Sequence, residues 1–239
     1  MMKRPRRPSS TKKQSLGQRN LSTPVKTAKG RKLSSTRWLQ RQLNDPYVAE
    51  SRRLGYRSRA AFKLIELDDR FGILALGQHV LDLGAAPGGW TQVAVERTGG
   101  VPSNMPPRVL AIDLSPIDPI PGARCLSWDM RDAGCVELIT RKLGAPVDAV
   151  LSDMAPAATG HAGTDHLRIM ALVEAAWEVA EAVLATEGAF VAKVLQGGTE
   201  RELLDQLKRR FARVRHAKPP SSRKESAEIY VVAQGFRRS

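Results

Sequence analysis

Apolar residues fall along this chain in two alternating rhythms. Runs of strand length (HVLDLG at 79–84, RVLAID at 108–113, ARCLSW at 123–128, VDAVLSD at 147–153, GAFVAKVL at 188–195) are separated by segments with helical spacing. Such alternation predicts βαβ units and a parallel sheet. A helix is expected over 91–97. The longest helical pattern begins near Thr164 or Asp165 and places Ile169, Leu172, Val173, Ala176, Trp177, Ala180 and Val183 on one buried stripe. Gly188 falls just past its end, where a left-handed capping residue is expected. A shorter amphipathic helix is expected over 58–70, capped by Ser58, with Ala61, Leu64, Ile65 and Leu67 near helical spacing. A strongly charged helix over 200–210 and two last strands, 211–215 and 227–234, complete the pattern.

Composition adds an appendage to this α/β core. The 239 residues are 42% hydrophobic, enough for one domain of this class with a sizeable core. No run approaches the roughly 18 apolar residues of a membrane span, and the N-terminus has no apolar signal core, so a soluble, cytoplasmic chain is expected. Cys125 and Cys135 lie in no ligand spacing, and His79, His161, His166 and His216 form no constellation, so no metal is expected. Of 38 basic residues, thirteen precede Asp45, the first acidic one; the net charge of +14 is therefore +13 over residues 1–44 and +1 over the rest. That segment is rich in Pro, Ser, Lys and Arg, which predicts a disordered arm over 1–44 and a domain over 45–239. A phosphate-binding arm is favoured over a solubilising tail, and over a mitochondrial presequence, whose amphipathic helix the prolines would spoil.

In open parallel sheets ligands bind outside the carboxyl ends of the strands. Here Asp82 and Gly84 end the first run and Asp113 the second; Asp129 follows the third, Asp153 the fourth, and Lys193 lies near the end of the fifth. The turn after the first, GAAPGGW at 84–90, is almost without side chains. It suits a ligand close to the backbone, either a pyrophosphate or the aminoacyl part of S-adenosylmethionine. The glycine spacing departs from the dinucleotide pattern, and Pro87 removes one N–H from a phosphate cradle. With S-adenosylmethionine, Asp113 would accept from the ribose hydroxyls and Asp129 would meet the adenine amino group. Trp90 reads either as core or as a wall of the cofactor pocket.

SRAAFKL at 58–64, LDLGAAPGGWT at 81–91, SDMAP at 152–156, DHLR at 165–168, FVAKVLQG at 190–197 and SAEIY at 226–230, in this order, resemble the FtsJ/RlmE family over roughly residues 44–236. The resemblance implies a Rossmann-like, S-adenosylmethionine-dependent fold with a mostly parallel sheet and helices on both faces. It also implies 2′-O-methylation of a ribose, a uridine in the peptidyl-transferase region, in large-subunit (23S) ribosomal RNA within the ribosomal particle, by a monomer. The family's Lys-Asp-Lys-Glu tetrad falls on Lys63, Asp153, Lys193 and Glu228. Its cofactor contacts fall on Gly88, Trp90, Asp113, Asp129 and Asp153. Two features depart from the family: the arm is longer than its core needs, and residues 99–107 look like an insertion.

Methyl transfer from a sulfonium to a hydroxyl is an in-line displacement with an activated donor, so the hydroxyl proton is the difficulty and a general base is called for. Lys193 is the candidate. An unperturbed lysine titrates near about 10.4, so the role calls on Lys63 and on desolvation by bound RNA to favour the neutral amine, against Asp153. Asp153, Glu228 and Lys63 read as positioning groups. Two basic runs, Arg52, Arg53, Arg57 and Arg59 before Lys63, and Lys208 to Lys224 before Glu228, suit a phosphate track. The rival expectations are a related methyltransferase of transfer RNA or an mRNA cap, and a non-catalytic RNA-binding assembly factor.

Overall fold

The structure is a computed structural model that describes residues 36, 39–40, 42–101, 105–156, 159–196 and 201–238. The chain divides into two units, Met1–Asp45 and Pro46–Ser239. In the first, the described positions up to Leu43 are helical, and Asn44 Nδ2 donates to the Gln40 carbonyl at 2.6 Å. The remainder of the expected arm lies outside the described residues, as do positions 102–104 of the expected insertion.

The elements of the second unit are α1 (Pro46–Leu54), α2 (Ala61–Phe71), β1 (Val80–Leu83), α3 (Gly89–Thr98), β2 (Val109–Asp113), β3 (Ala123–Ser127), α4 (Cys135–Leu143), β4 (Val147–Ser152), α5 (Ala162–Val183), β5 (Leu184–Leu195), α6 (Arg201–Arg210), β6 (Phe211–Ala217) and β7 (Glu228–Phe236). The strands form one sheet in the order β3-β2-β1-β4-β5-β7-β6. β1 to β5 are parallel. The α6 crossover carries β6 one place beyond β5, and the following loop returns β7 into the gap, antiparallel to both neighbours. Strand order reverses between β1 and β4, and the crevice outside the carboxyl ends at such a switch point is where these sheets take ligands.

Alternation along the strands feeds a core on each face. Leu81, Leu83 and Val150 join Trp177, Phe190, Phe211 and Phe236 in one cluster under α4, α5 and α6. Val80, Ala149 and Leu151 join Trp90 and Tyr230 in the other, with Ala61, Leu64 and Leu67 of α2.

Two local expectations are corrected. Gly188 is no cap: α5 ends at Val183, Leu184 already begins β5, and the left-handed residue is Glu187 (φ 66°). A Cβ at Gly188 would meet the Ala185 carbonyl at 2.8 Å and the Asp148 carbonyl at 3.1 Å, so glycine is set there by backbone approach at an irregularity in β4–β5 pairing. Ser58 does not cap α2 either; Ala60 holds that position without a side-chain bond, and the Ser58 hydroxyl packs where a Cβ on Gly89 would go.

Candidate active site

Antiparallel pairing places Lys193 opposite Tyr230 and Leu195 opposite Glu228. Because side chains alternate, Lys193, Tyr230 and Glu228 share one sheet face. Lys63, in the first turn of α2, and Asp153, just past β4, complete the group. Lys193 Nζ lies 2.7 Å from Asp153 Oδ1 and 3.6 Å from Glu228 Oε1, while Lys63 Nζ lies 3.8 Å from Asp153 Oδ1 and 3.3 Å from Glu228 Oε2. Each amine thus sits between both carboxylates, and the four formal charges cancel. Lys193 Nζ also donates to the Asp153 carbonyl at 2.8 Å. Both lysines are 5% exposed, whereas the carboxylate side chains are 16% and 27% exposed, so access from solvent runs along the acids. At Glu228 burial opposes the charge, but Lys63 and Lys193 outweigh it and hold the carboxyl below its usual range.

The tetrad has a neighbour that sequence reasoning passed over. The Tyr230 hydroxyl donates to Asp153 Oδ1 at 2.5 Å. Burial, and then the charge of Asp153, push this phenol well above its ordinary pKa, so it remains a donor. Trp90 stands behind it: its indole N–H donates to the Ala60 carbonyl at 2.8 Å and its ring lies 5.6 Å from that of Tyr230. The two-residue step from Glu228 to Tyr230 was the available signal.

A cavity of about 460 Å³ opens at the carboxyl ends of β1, β2 and β4. Asp153 lines it as well as belonging to the tetrad, and Asp113, Asp129, Leu114, Trp128 and Arg131 line it too. Asp113 spans the mouth of the glycine turn, accepting from the Ala86 N–H at 2.9 Å and the Ser115 N–H at 2.7 Å. Asp129 is gripped by the Arg131 side chain, which holds its carboxyl at about 2 with help from the Arg131 backbone N–H. Gly88 and Trp90 are not among the lining residues. Nor do the glycines simply leave space for a ligand. Gly84 (φ 69°) lies where a Cβ would collide with Met154, and Gly88 (φ 109°) where one would collide with Ile120. Beneath the turn, Asp82 is 1% exposed and accepts from the Thr91 hydroxyl at 2.6 Å. Its burial, with Asp153 and Asp113 nearby, outweighs that bond and raises its pKa to about 7.

Several cations of the expected phosphate track serve the fold. Arg57 donates to the Pro87, Asp118 and Pro119 carbonyls, Arg59 to the Ser221 carbonyl, and Lys218 to the Lys224 and Ser226 carbonyls. Among the described residues, no group of three or more His, Cys, Asp or Glu could hold a metal ion, and no helix is long and apolar enough to cross a membrane.

Residues 56–236, the whole sheet and both halves of this site, match the FtsJ-like methyltransferase family. The chain belongs to that family. This methyltransferase is 61% identical, over 223 residues, to a ribosomal RNA large subunit methyltransferase E from Paramagnetospirillum magneticum, spanning 93% of this chain and 91% of that one. Its identity to the protein of the same name from Roseobacter denitrificans is 53%, over 97% and 98% of the two chains. A crystal structure of a ribosomal RNA methyltransferase from Plasmodium falciparum superposes with a TM-score of 0.65 at 31% identity, covering 76% of this chain and 98% of that one. The fold and family expected from the motifs are those observed.

Proposed function

We propose that this methyltransferase moves the methyl group of S-adenosylmethionine to the 2′-hydroxyl of a uridine ribose in large-subunit ribosomal RNA, within the assembled subunit. The observation that carries the reading is the double membership of Asp153: one carboxylate both lines the cavity and anchors the lysines of the tetrad. A donor in the cavity and a hydroxyl at the tetrad would therefore meet across it. The names of the relatives supply the RNA.

The residues present suit the cofactor. Trp128 and Leu114 offer apolar walls for a base, Asp113 retains lone pairs for ribose hydroxyls, Asp129 accepts from the adenine amino group, and the backbone at Gly84 and Ala86 takes the aminoacyl part. When bound, S-adenosylmethionine supplies a methyl group already activated by a positive sulfonium. Asp153 places negative charge on the cavity side toward that cation. Lys193 takes the hydroxyl proton onto Nζ as the oxygen attacks, after the ammonium held by Asp153 and Glu228 has given up its own proton to solvent. Tyr230 and Lys63 keep Asp153 and Glu228 in register, and Glu228 orients the ribose. Most of the acceleration then comes from alignment.

Transfer of labelled methyl to unmethylated large subunits, naked ribosomal RNA and transfer RNA tests the substrate. Label concentrated on the subunits is expected. Label on transfer RNA alone would replace the ribosomal reading, and cofactor binding with no RNA labelled would make the chain an assembly factor.

A further inference from the structure

The tetrad leaves the far end of the cavity unexplained, where Asp129 is held by a residue two positions along its own chain. Arg131 Nε and backbone N–H each lie 3.0 Å from Asp129 Oδ1, and Nη2 lies 2.6 Å from Oδ2. An ionised carboxylate has about four acceptor positions. Two are used on Oδ1 and one on Oδ2, so one remains, on Oδ2. The guanidinium is planar and forks onto both oxygens, so it fixes the direction of that last position as well as its charge. Both residues line the cavity. The Arg131 side chain is 62% exposed, so burial does not require it.

We propose that Arg131 is a positioning residue that makes Asp129 a fixed, acceptor-only reader of the base, restricting the cavity to a cofactor whose purine carries an amino group. The inference rests on the cofactor reading above and extends it to the choice of base. An adenine 6-amino group donates to the remaining Oδ2 position. A 6-oxo group in the same place puts two acceptors face to face with no proton between them, and a site built to pair one group leaves its own polar atoms unpaired against the other. Without Arg131 the carboxylate turns freely about its side-chain bonds and the direction of its open position is lost.

The test is equilibrium binding to the full chain of S-adenosylhomocysteine and of S-inosylhomocysteine, which carries hypoxanthine in place of adenine. The native chain is expected to prefer the adenosyl compound by about tenfold or more, the scale of one hydrogen bond to a charged group. Arg131→Ala is expected to reduce that ratio to about threefold or less, chiefly by weakening the adenosyl compound, with its melting temperature unchanged. Arg131→Lys, which retains charge without the fork, should restore the ratio only in part. Asp129→Asn should abolish the preference: an amide NH2 at the Oδ2 position would meet Arg131 Nη2 donor against donor, so the fork is broken and no fixed acceptor faces the 6-amino group. An unchanged ratio in Arg131→Ala, or an adenosyl preference retained in Asp129→Asn, overturns the inference alone. Failure of the native chain to bind S-adenosylhomocysteine overturns the cofactor reading and this inference with it.

Discussion

At Asp82 a carboxyl group has been removed from water beneath the glycine turn, and its pKa rises from the ordinary 3.8 to about 7. Between those values the unfolded chain has released a proton that the folded chain keeps. The contribution of Asp82 to stability is therefore greatest below about pH 4, falls as the pH rises through that window, and is gone above about 7. Asp82→Asn removes the dependence while leaving an oxygen to accept from Thr91. The melting temperature of the variant relative to the native chain should be higher at pH 8 than at pH 5; equal differences at both would assign the buried carboxyl no such role. The same scale shows what could be read in advance. Lys63, Asp153, Lys193 and Glu228 stand far apart in the chain with no periodicity linking them, so only the resemblance grouped them. Tyr230 was within reach of the strand alternation. The Arg131 grip on Asp129 was not, because the local turn that closes it has no hydrophobic signature.

At the level of elements, α5 is tied to three strands through one side chain. Trp177, 3% exposed, lies 5.7 Å from Phe190 of β5, 5.5 Å from Phe211 of β6 and 6.2 Å from Phe236 of β7, ring centre to ring centre. Its helical spacing with Val173 and Ala180 already marked it as core. Trp177→Ala should cost about 3–5 kcal/mol of unfolding free energy in urea titration, as for other large-to-small core changes. A loss under about 1 kcal/mol would mean that this aromatic cluster does not hold the helix to the sheet. The strands read from sequence are those that form, because both faces of β1, β2 and β4 are buried and their apolar runs are nearly continuous. β5 is the exception. Its opening turn exposes Thr186 and Glu187, so the apolar run that betrays a strand starts only at Gly188.

For the whole molecule, charge is concentrated where chemistry is not: residues 1–44 carry +13, and the rest of the chain is nearly neutral. Arg57, Arg59 and Lys218 donate to backbone carbonyls, and we propose that the arm adds cations for RNA phosphates. Deleting residues 1–41 should weaken RNA binding and flatten its salt dependence, by about 0.7 in log–log slope for each single-strand phosphate that the arm neutralises, with cofactor affinity unchanged. An unaltered slope would remove the arm from RNA recognition. The central claim, that Lys193 takes the proton of a ribose hydroxyl, is tested most directly by the position of the transferred methyl. Unmethylated large subunits are incubated with labelled S-adenosylmethionine and either the native chain or Lys193→Ala, and the RNA is then hydrolysed in alkali. Label in an alkali-resistant dinucleotide with the native chain, reduced at least about a hundredfold in the variant while its cofactor affinity is kept, is the expected result. Label on a base, or undiminished transfer by Lys193→Ala, would contradict it.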